Sequence, residues 1–429
     1  MKAPRAAWDL FLAAFEPVFT LPSFALFCQL ASAWVVCPGR HTVTRMLGML
    51  DAPRRRPHDA YHRFLRAGAW SLEELWQLLA GKLVASLVPQ GNLLLDLDDT
   101  VFHKAGRKIE GAGVFRDAVR STHARVVYAL GLNLVVLTLR VRPPWGGEPL
   151  GLPVNLRLYR KGGPSHLDLA EEMIRQLAGW FADRKFSLCC DGAFASLAGR
   201  FLPRTHVTSR MRRDAALFEL PPPKKPRRRG RPRKRGRRLP TPEGIARRSE
   251  GWARKTVDVR GRLQKRILLA RPVLWYSVRP DRQVLLVIVR DPTGKQHDDF
   301  FFTTDLDDTP EQVASRYAGR WSIEDTFRNV KQFLGGEDPQ TWKHQGPERA
   351  AALSLWVYSA VWHWYLITQG TRVSWPSLPW YQSKKTPSFP DALASLRRIL
   401  WGTIISTSAP RSVMPKTVTV LIEALARAA

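Results

Sequence analysis

The segment LLLDLD, residues 93–98, is a short apolar run that ends in acidic residues. Such a run is typical of a strand buried in a sheet. The segment FSLCCD (186–191) has the same form, and it follows residues 166–184, whose apolar positions recur with helical spacing. Buried strands that alternate with an amphipathic helix predict an α/β sheet with helices packed on it.

Further β-rich runs lie between and after these two segments. They occupy residues 126–141, 152–160, 256–259, 266–270, 272–279, 283–290 and 299–303. Before the last five of them the composition changes abruptly, because the stretch from Lys224 to Arg238 holds eleven Lys or Arg in fifteen positions. No core forms from such residues, so we predict a loop over 221–240 that is disordered or is ordered by DNA.

The first 90 residues are predicted to be mostly helical. Apolar residues recur at three-and-four spacing in WDLFLAAF and in LEELWQLLAGKLVASL, and a basic section with short helices lies between these segments. Two interpretations of that section remain open. It holds a helix-turn-helix that binds DNA, or it is a helical packing domain with a basic surface.

The charge of the chain indicates a polyanionic partner. Its 429 residues include 67 Lys and Arg against 37 Asp and Glu, a formal net charge of +30. DNA or RNA is the usual partner of so basic a protein, and an anionic membrane surface is the rival. The length fits two or three domains.

Two apolar segments resemble membrane spans in length and hydrophobicity. Pro22 and Gln29 interrupt the first, residues 17–39, and His363 lies within the second, AALSLWVYSAVWHWYLITQ. We interpret both as buried helices of a protein without a membrane span. The four cysteines show no CxxC spacing, which favours a reduced, cytoplasmic protein.

The segment YAGRWSIEDTFRNVK, residues 317–331, carries an unusual polar pattern. On one helix, expected at about 309–334, its residues Tyr317, Arg320, Glu324 and Lys331 project within about 60° of one another. They form a stripe about 21 Å long. One carboxylate among three groups that bind phosphate predicts a helix that faces a nucleic-acid backbone.

Three carboxylates are the candidate metal ligands: Asp98 and Asp191 at strand ends, and Glu324 on the helix. Such a set can hold two divalent cations about 3.5–4 Å apart. Magnesium suits oxygen ligands of this kind. Three acids are candidates for the first metal ligand: Asp96, Asp98 and Asp99. Strand alternation places Asp96 and Asp98 on one face of the strand.

The spacing Tyr317, two residues, Arg320, three residues, Glu324, six residues, Lys331 resembles the Tyr-Arg-Glu-Lys signature of bacterial insertion-sequence transposases. These are DDE enzymes with an RNase H-like core. The segment LDLDDTVFHKAG (95–106) is similar to the family's segment with the first catalytic Asp. The segment CCDGAFA (189–195) is similar to the segment with the second. The resemblance selects Asp98 as the first ligand, with Asp96 in reserve.

The resemblance implies an α/β RNase H-like catalytic core with an inserted β-rich domain and an N-terminal helical domain. The expected boundaries are 1–90 for the helical, DNA-binding domain, 91–211 for the first part of the core, 212–305 for the insertion, 306–370 for the catalytic and packing helices, and 371–429 for a helical region that contacts DNA or a partner subunit.

The resemblance also implies a reaction. The enzyme would bind terminal inverted repeats in double-stranded DNA, pair two ends as a homodimer, cut them and join the 3′-hydroxyls to target DNA. Two Mg²⁺ ions, or Mn²⁺ in their place, would serve it, and it would be cytoplasmic and nucleoid-associated. An aromatic residue of the insertion, Trp252 or Trp275, would hold a flipped base if a hairpin forms, although core packing explains either one.

Two alternatives remain open: an RNase H-like nuclease without strand transfer, and a DNA-binding protein that no longer cuts. Within the signature, Tyr317, Arg320 and Lys331 would contact phosphates. In the basic loop, Arg229-Gly230-Arg231-Pro232 resembles an AT-hook core, so Arg229, Arg231 and Arg233 are further candidate DNA contacts. A generic phosphate-binding tail is the competing interpretation.

Overall fold

The computed structural model describes residues 4–50, 55–117, 120–122, 124–222, 233–248, 250–370, 382–408 and 416–428. Its strands are β1 (Leu93–His103), β2 (Gly113–Arg116), β3 (Tyr128–Val141), β4 (Leu150–Tyr159), β5 (Phe186–Cys190), β6 (Thr205–Arg210), β7 (Ala253–Val259), β8 (Arg262–Val273), β9 (Val284–Arg290) and β10 (Asp299–Thr303). Its α-helices are α1 (Pro4–Ala13), α2 (Leu21–Val36), α3 (Val43–Gly48), α4 (His58–Ala67), α5 (Leu72–Leu87), α6 (His166–Trp180), α7 (Pro242–Arg248), α8 (Pro310–Gly319), α9 (Trp321–Phe333), α10 (Gly346–Gln369), α11 (Phe389–Ser408) and α12 (Lys416–Arg427).

The ten strands form one mixed sheet in the order β2-β3-β1-β5-β6-β10-β9-β8-β7, with β4 also paired to β3. Strand β3 runs antiparallel to β1, whereas β5 and β6 run parallel to it. Both acidic segments are buried strands, as predicted, and every residue of β5 is buried. This mixed sheet agrees with the expected α/β, RNase H-like core.

The strands expected in an insertion do not form a sheet of their own. Strand β10 pairs antiparallel with β6 and with β9, and β8 and β7 continue the ladder outward. The region 212–305 is therefore β-rich, and its strands extend the central sheet. An inserted domain with these boundaries stays a prediction.

Part of the expected disordered loop packs on this extension. Residues 223–232, which include Arg229 and Arg231, lie outside the described residues, and Arg233 is described and exposed. The guanidinium of Arg235 lies 4.5 Å from the ring centroid of Phe218, and Phe218 forms a β-bridge with Arg238. The end of this stretch thus covers an aromatic ring and pairs with backbone, and a loop over 221–240 that is disordered or is ordered by DNA stays a prediction.

Helix α10 is the centre of the helical layer. From Gly346 to Leu366 every residue except Glu348 is buried, which agrees with a sequence that is apolar around its whole circumference. Phe15 and Phe27 each lie 5.0 Å from the ring of Trp356, and Ser86 is 2.9 Å from His363. The helices of residues 4–87 thus share a core with α10 rather than packing separately, and their DNA binding stays a prediction.

None of the helices in the described parts of the chain is long and apolar enough to cross a membrane. Helices α11 and α12 lie in the C-terminal region, where helix was expected. Contact of that region with DNA or a partner subunit stays a prediction.

The expected helix over 309–334 is interrupted at Arg320. Helix α8 begins with a capping box between Thr309 and Gln312, and α9 begins at Trp321. Arg140 donates a 2.7 Å hydrogen bond to the carbonyl oxygen of Arg316, and the Arg320 N–H bonds the carbonyl oxygen of Tyr317 instead. A Cβ atom on Gly319 would lie 2.6 Å from the Arg140 guanidinium. The break therefore results from an arginine that passes close to the helix.

Candidate active site

Asp98, in the middle of β1, and Asp191, directly after the end of β5, lie side by side on two parallel strands. Asp98 was expected to end its strand, but β1 continues to His103 because it stays paired with β3. Leu97 of β1 pairs with Cys190 of β5, so the next residue along each strand is one of these acids. Asp191 caps the 3-10 helix Gly192–Gly199, because its Oδ1 accepts a 2.8 Å hydrogen bond from the N–H of Ala193. The sheet register therefore brings together two acids that are 93 residues apart in the chain.

Glu324 joins them from the first turn of α9. The link is Arg320, whose Nη1 donates to Asp98 Oδ2 at 2.7 Å and whose Nη2 donates to Glu324 Oε1 at 2.6 Å. Only 8% of the Arg320 side chain is exposed. One buried guanidinium thus lies between two of the three predicted ligands, with charge-assisted hydrogen bonds to both.

The electrostatic environment of Asp98 is short of positive charge. The pKa of Asp98 is raised to about 7, chiefly by burial and also by the nearby carboxylates of Asp191 and Asp99, while Arg320 lowers it. Burial also raises the pKa of Asp99. A cluster of acids in which one arginine cannot offset burial is a favourable place for a divalent cation.

The three acids fit a metal by their chemistry, but not by their present arrangement. Among the residues that the structure describes, no three His, Cys, Asp or Glu side chains are grouped closely enough to hold an ion. Carboxylate oxygens are the ligands that Mg²⁺ prefers, and Asp98, Asp191 and Glu324 supply only such oxygens. The Arg320 guanidinium bonds two of them, so a cation would have to replace at least one of its contacts.

Asp96, the reserve candidate, is engaged elsewhere. It is fully buried, and Arg140 binds its two carboxylate oxygens, with Nε at 2.9 Å from Oδ2 and Nη2 close to Oδ1. Ser322 of α9 donates a further 3.0 Å hydrogen bond to it. Asp96 therefore ties β1 to β3 and α9, and its oxygens have little capacity left for a metal.

Asp99 faces the other side of β1, as strand alternation requires. Its Oδ2 accepts a 3.2 Å hydrogen bond from Asn133, and the Oδ1 of Asn133 lies 3.2 Å from His166 Nε2. Sequence reasoning identified neither Asn133 nor His166 as part of the site, nor Arg140 and Ser322 beside Asp96. No motif marks these residues, because their positions depend on strand pairing and helix packing.

Tyr317 and Lys331, two residues of the signature, are less accessible to solvent than the sequence pattern predicts. Tyr317 is 7% exposed and stacks on Phe301 with centroids 4.2 Å apart, and burial raises the pKa of its phenol to about 12. Lys331 donates a 2.7 Å hydrogen bond to the carbonyl oxygen of Val101 and lies 3.7 Å from Glu337. The stripe therefore faces β1 and β10 of the sheet rather than open solvent.

The two tryptophans considered for a flipped base are both packed. Trp275 is 5% exposed and lies edge-on to Phe302 at 5.2 Å. Trp252 is half-buried, with the guanidinium of Arg290 4.0 Å from its ring. Packing accounts for the positions of both rings.

Two models of known protein families match the chain, and together they span the three candidate acids. The family model for the DDE superfamily endonucleases matches residues 25–276, more than half of the chain, and spans Asp98 and Asp191. A second model, described as archaeal putative transposase ISC1217, matches residues 275–357 and spans Glu324. No curated protein matches the chain significantly.

Proposed function

The chain belongs to the DDE superfamily endonucleases, enzymes of the nuclease and transposase type that act on DNA, and we propose that it is the transposase of an insertion sequence. In this proposal it excises the element at its terminal inverted repeats and joins the freed 3′-hydroxyls to target DNA. The observation that carries the proposal is the binding of Asp98 and Glu324 by one buried arginine, Arg320, with Asp191 next to Asp98, in a chain with a net charge of +30.

Asp98, Asp191 and Glu324 would hold two Mg²⁺ ions, or Mn²⁺ in their place. Bound there, such ions activate a water or a 3′-hydroxyl and stabilise the leaving oxygen of an in-line displacement. The chain contributes the positions of the ligands: adjacent points on two parallel strands, and the first turn of a helix that Asp96 fixes through Ser322.

Arg320 has a second role in the proposal, as the phosphate contact beside the acids. Its Nε is buried and has no hydrogen-bond partner in the described part of the chain. A guanidinium binds two oxygens of a phosphate as readily as two carboxylates. We propose that the scissile phosphate takes over one contact that Asp98 or Glu324 now makes with Arg320.

Tyr317 and Lys331 stabilise this site mainly from the side that faces the sheet. Tyr317 lies with its ring centroid 5.6 Å from the Arg320 guanidinium, and Lys331 holds α9 to β1 through Val101. We propose that both orient Arg320 and Glu324, and that direct contact with DNA comes from basic residues of the loop, including Arg229, Arg231 and Arg233. Pairing of two DNA ends would need a homodimer.

Strand transfer is the step that separates this function from its rivals. We would incubate the protein with pre-cut duplex ends that carry 3′-hydroxyls, a supercoiled target plasmid and Mg²⁺. Joined products support the transposase. Cleaved DNA without joined products would support a nuclease, and binding without either product would support a protein that no longer cuts. An Asp191→Asn variant is the control for contaminating nucleases.

A further inference from the structure

A basic cavity of about 430 Å³ opens at the edge of the sheet opposite to the three acids. It lies where β5, β6 and β9 begin, whereas Asp191 lies where β5 ends. Its lining includes five cationic side chains and a single carboxylate, that of Asp281. The cations are Lys185, Arg200, Arg204, Arg279 and Arg282.

The cavity is separate from the candidate active site. Lys185 precedes β5 and Asp191 follows it, so six residues at about 3.3 Å each place the two sites roughly 20 Å apart. The 3-10 helix Gly192–Gly199 runs back from Asp191 to the cavity wall. At its end a Cβ atom on Gly199 would lie 2.0 Å from the carbonyl oxygen of Val278, so the wall is tightly packed.

Much of the positive charge in the cavity is not neutralised. Within the described ranges Arg279 forms no ion pair, and its one side-chain hydrogen bond is a 3.5 Å contact with the carbonyl oxygen of Thr304. Burial lowers the pKa of Arg279, and Asp281 and Arg282 act on it in opposite directions, Asp281 raising it and Arg282 lowering it. Arg204 is held by backbone carbonyl oxygens, including those of Arg184 and Phe181, rather than by an acid. A half-buried guanidinium that pairs with no acid favours the binding of an anion.

Two of the cations are paired with acids. Arg282 pairs with Asp281 at 3.5 Å, and Arg200 pairs with Asp168 and Glu171 at 2.8 and 2.5 Å. Arg200 anchors the cavity wall to α6, and its charge is offset there. The anion-binding capacity therefore rests on Lys185, Arg204 and Arg279.

An exposed aromatic ring completes the cavity. Phe201 follows Arg200 directly, lines the cavity and is 78% exposed. Proteins that bind single-stranded nucleic acid combine a basic groove with aromatic rings on which bases stack. A duplex offers no free base face to such a ring, whereas an unpaired strand does.

We propose that this cavity binds a single-stranded stretch of DNA, with backbone phosphates on Arg279 and Lys185 and one base stacked on Phe201. The site would hold an unpaired strand roughly 20 Å from the cleavage centre. The choice of DNA rests on the proposed function, but the binding itself needs neither a metal nor cleavage.

The test measures binding of a fluorescent 12-nucleotide oligo-dT by anisotropy, in EDTA and over a range of salt. Phe201→Ser should weaken binding about tenfold, since stacking of one base contributes about 1–3 kcal/mol. Arg279→Met should reduce the log–log salt slope by about 0.7, the value for one phosphate contact on a single strand. Duplex DNA of the same length should bind both variants as it binds the wild type.

Matched controls separate this site from general effects. Leu263→Ser changes a side chain that is 78% exposed, and Arg247→Met removes a charge that is 74% exposed and paired with Glu243. Neither should change oligo-dT binding, and all four variants should melt near the wild-type temperature. Wild-type affinity in either cavity variant would overturn the proposal. So would equal weakening of single-stranded and duplex DNA. Because cleavage is not measured, failure here is distinct from failure of the transposase assay.

Discussion

Arg320 donates a 2.7 Å hydrogen bond to Asp98 across 222 residues of sequence, and both side chains are largely buried. The same guanidinium bonds Glu324. This buried cation offsets part of the charge of the two acids, although the pKa of Asp98 stays raised. Arg320 is thus both the present partner of the acids and the group best placed to meet a phosphate.

We predict that Arg320→Met destabilises the metal-free protein by about 3–5 kcal/mol, because it leaves buried carboxylates without their counter-charge. Adding Mg²⁺ should then raise the melting temperature of the variant more than that of the wild type, since the ion no longer competes with the arginine. Differential scanning fluorimetry with and without Mg²⁺ measures both effects. Equal shifts in the two proteins would show that Arg320 and the metal do not share ligands.

We expect Asp98→Asn, Asp191→Asn and Glu324→Gln each to abolish cleavage and to keep most binding to duplex ends. The metal ligands serve the displacement, whereas affinity comes from many phosphate contacts. Gel assays of cleavage and of binding give the two readouts. Asp325→Asn is the matched control, because this acid is adjacent to Glu324 but pairs with Arg328. Near wild-type cleavage by any of the three variants would remove that residue from the site.

Asp96→Ala should lower the free energy of unfolding by about 3–5 kcal/mol, because the buried guanidinium of Arg140 loses its partner. This variant is therefore a test of stability and a poor activity control. The double variant Asp96→Leu/Arg140→Met should recover much of the loss, since apolar groups often replace a buried ion pair at little cost. Urea unfolding of the three proteins decides the point. A fully stable Asp96→Ala protein would contradict the structural role.

Tyr317→Phe should keep both stability and end binding, whereas Tyr317→Ala should cost about 3–5 kcal/mol through the cavity that it leaves. The reason is the stacking of this buried ring on Phe301. Thermal unfolding and anisotropy on end-containing DNA give the comparison. Strongly weakened DNA binding by a stable Tyr317→Phe protein would restore the predicted phosphate contact.

Replacing six basic residues of the loop by glutamine should flatten the salt dependence of duplex binding. The six are Lys224, Lys225, Arg227, Arg228, Arg229 and Arg231, and the net charge falls from +30 by six to +24. Each lost phosphate contact should reduce the log–log slope by about 0.9. Arg235 and Arg238 stay in place because they pack on Phe218. An unchanged slope would show that the loop does not touch DNA.

The sequence by itself determined the elements of the site. A buried strand, an acid at its end and the helical spacing of Arg320 and Glu324 are local features, since side-chain period depends only on backbone geometry. The segments 93–98 and 186–191 lie in or directly after strands as predicted, but only Asp191 follows a strand end, because β1 continues past Asp98 to His103.

Only the tertiary structure decided how these elements meet. The pairing of Asp96 with Arg140, the break before α9 and the extension of the central sheet by β7–β10 join residues that are distant in the chain. Strand alternation alone could not separate Asp96 from Asp98, because both project to the same face. Their partners separate them: a buried arginine satisfies Asp96 completely, whereas Asp98 shares its arginine with Glu324 and lies beside Asp191.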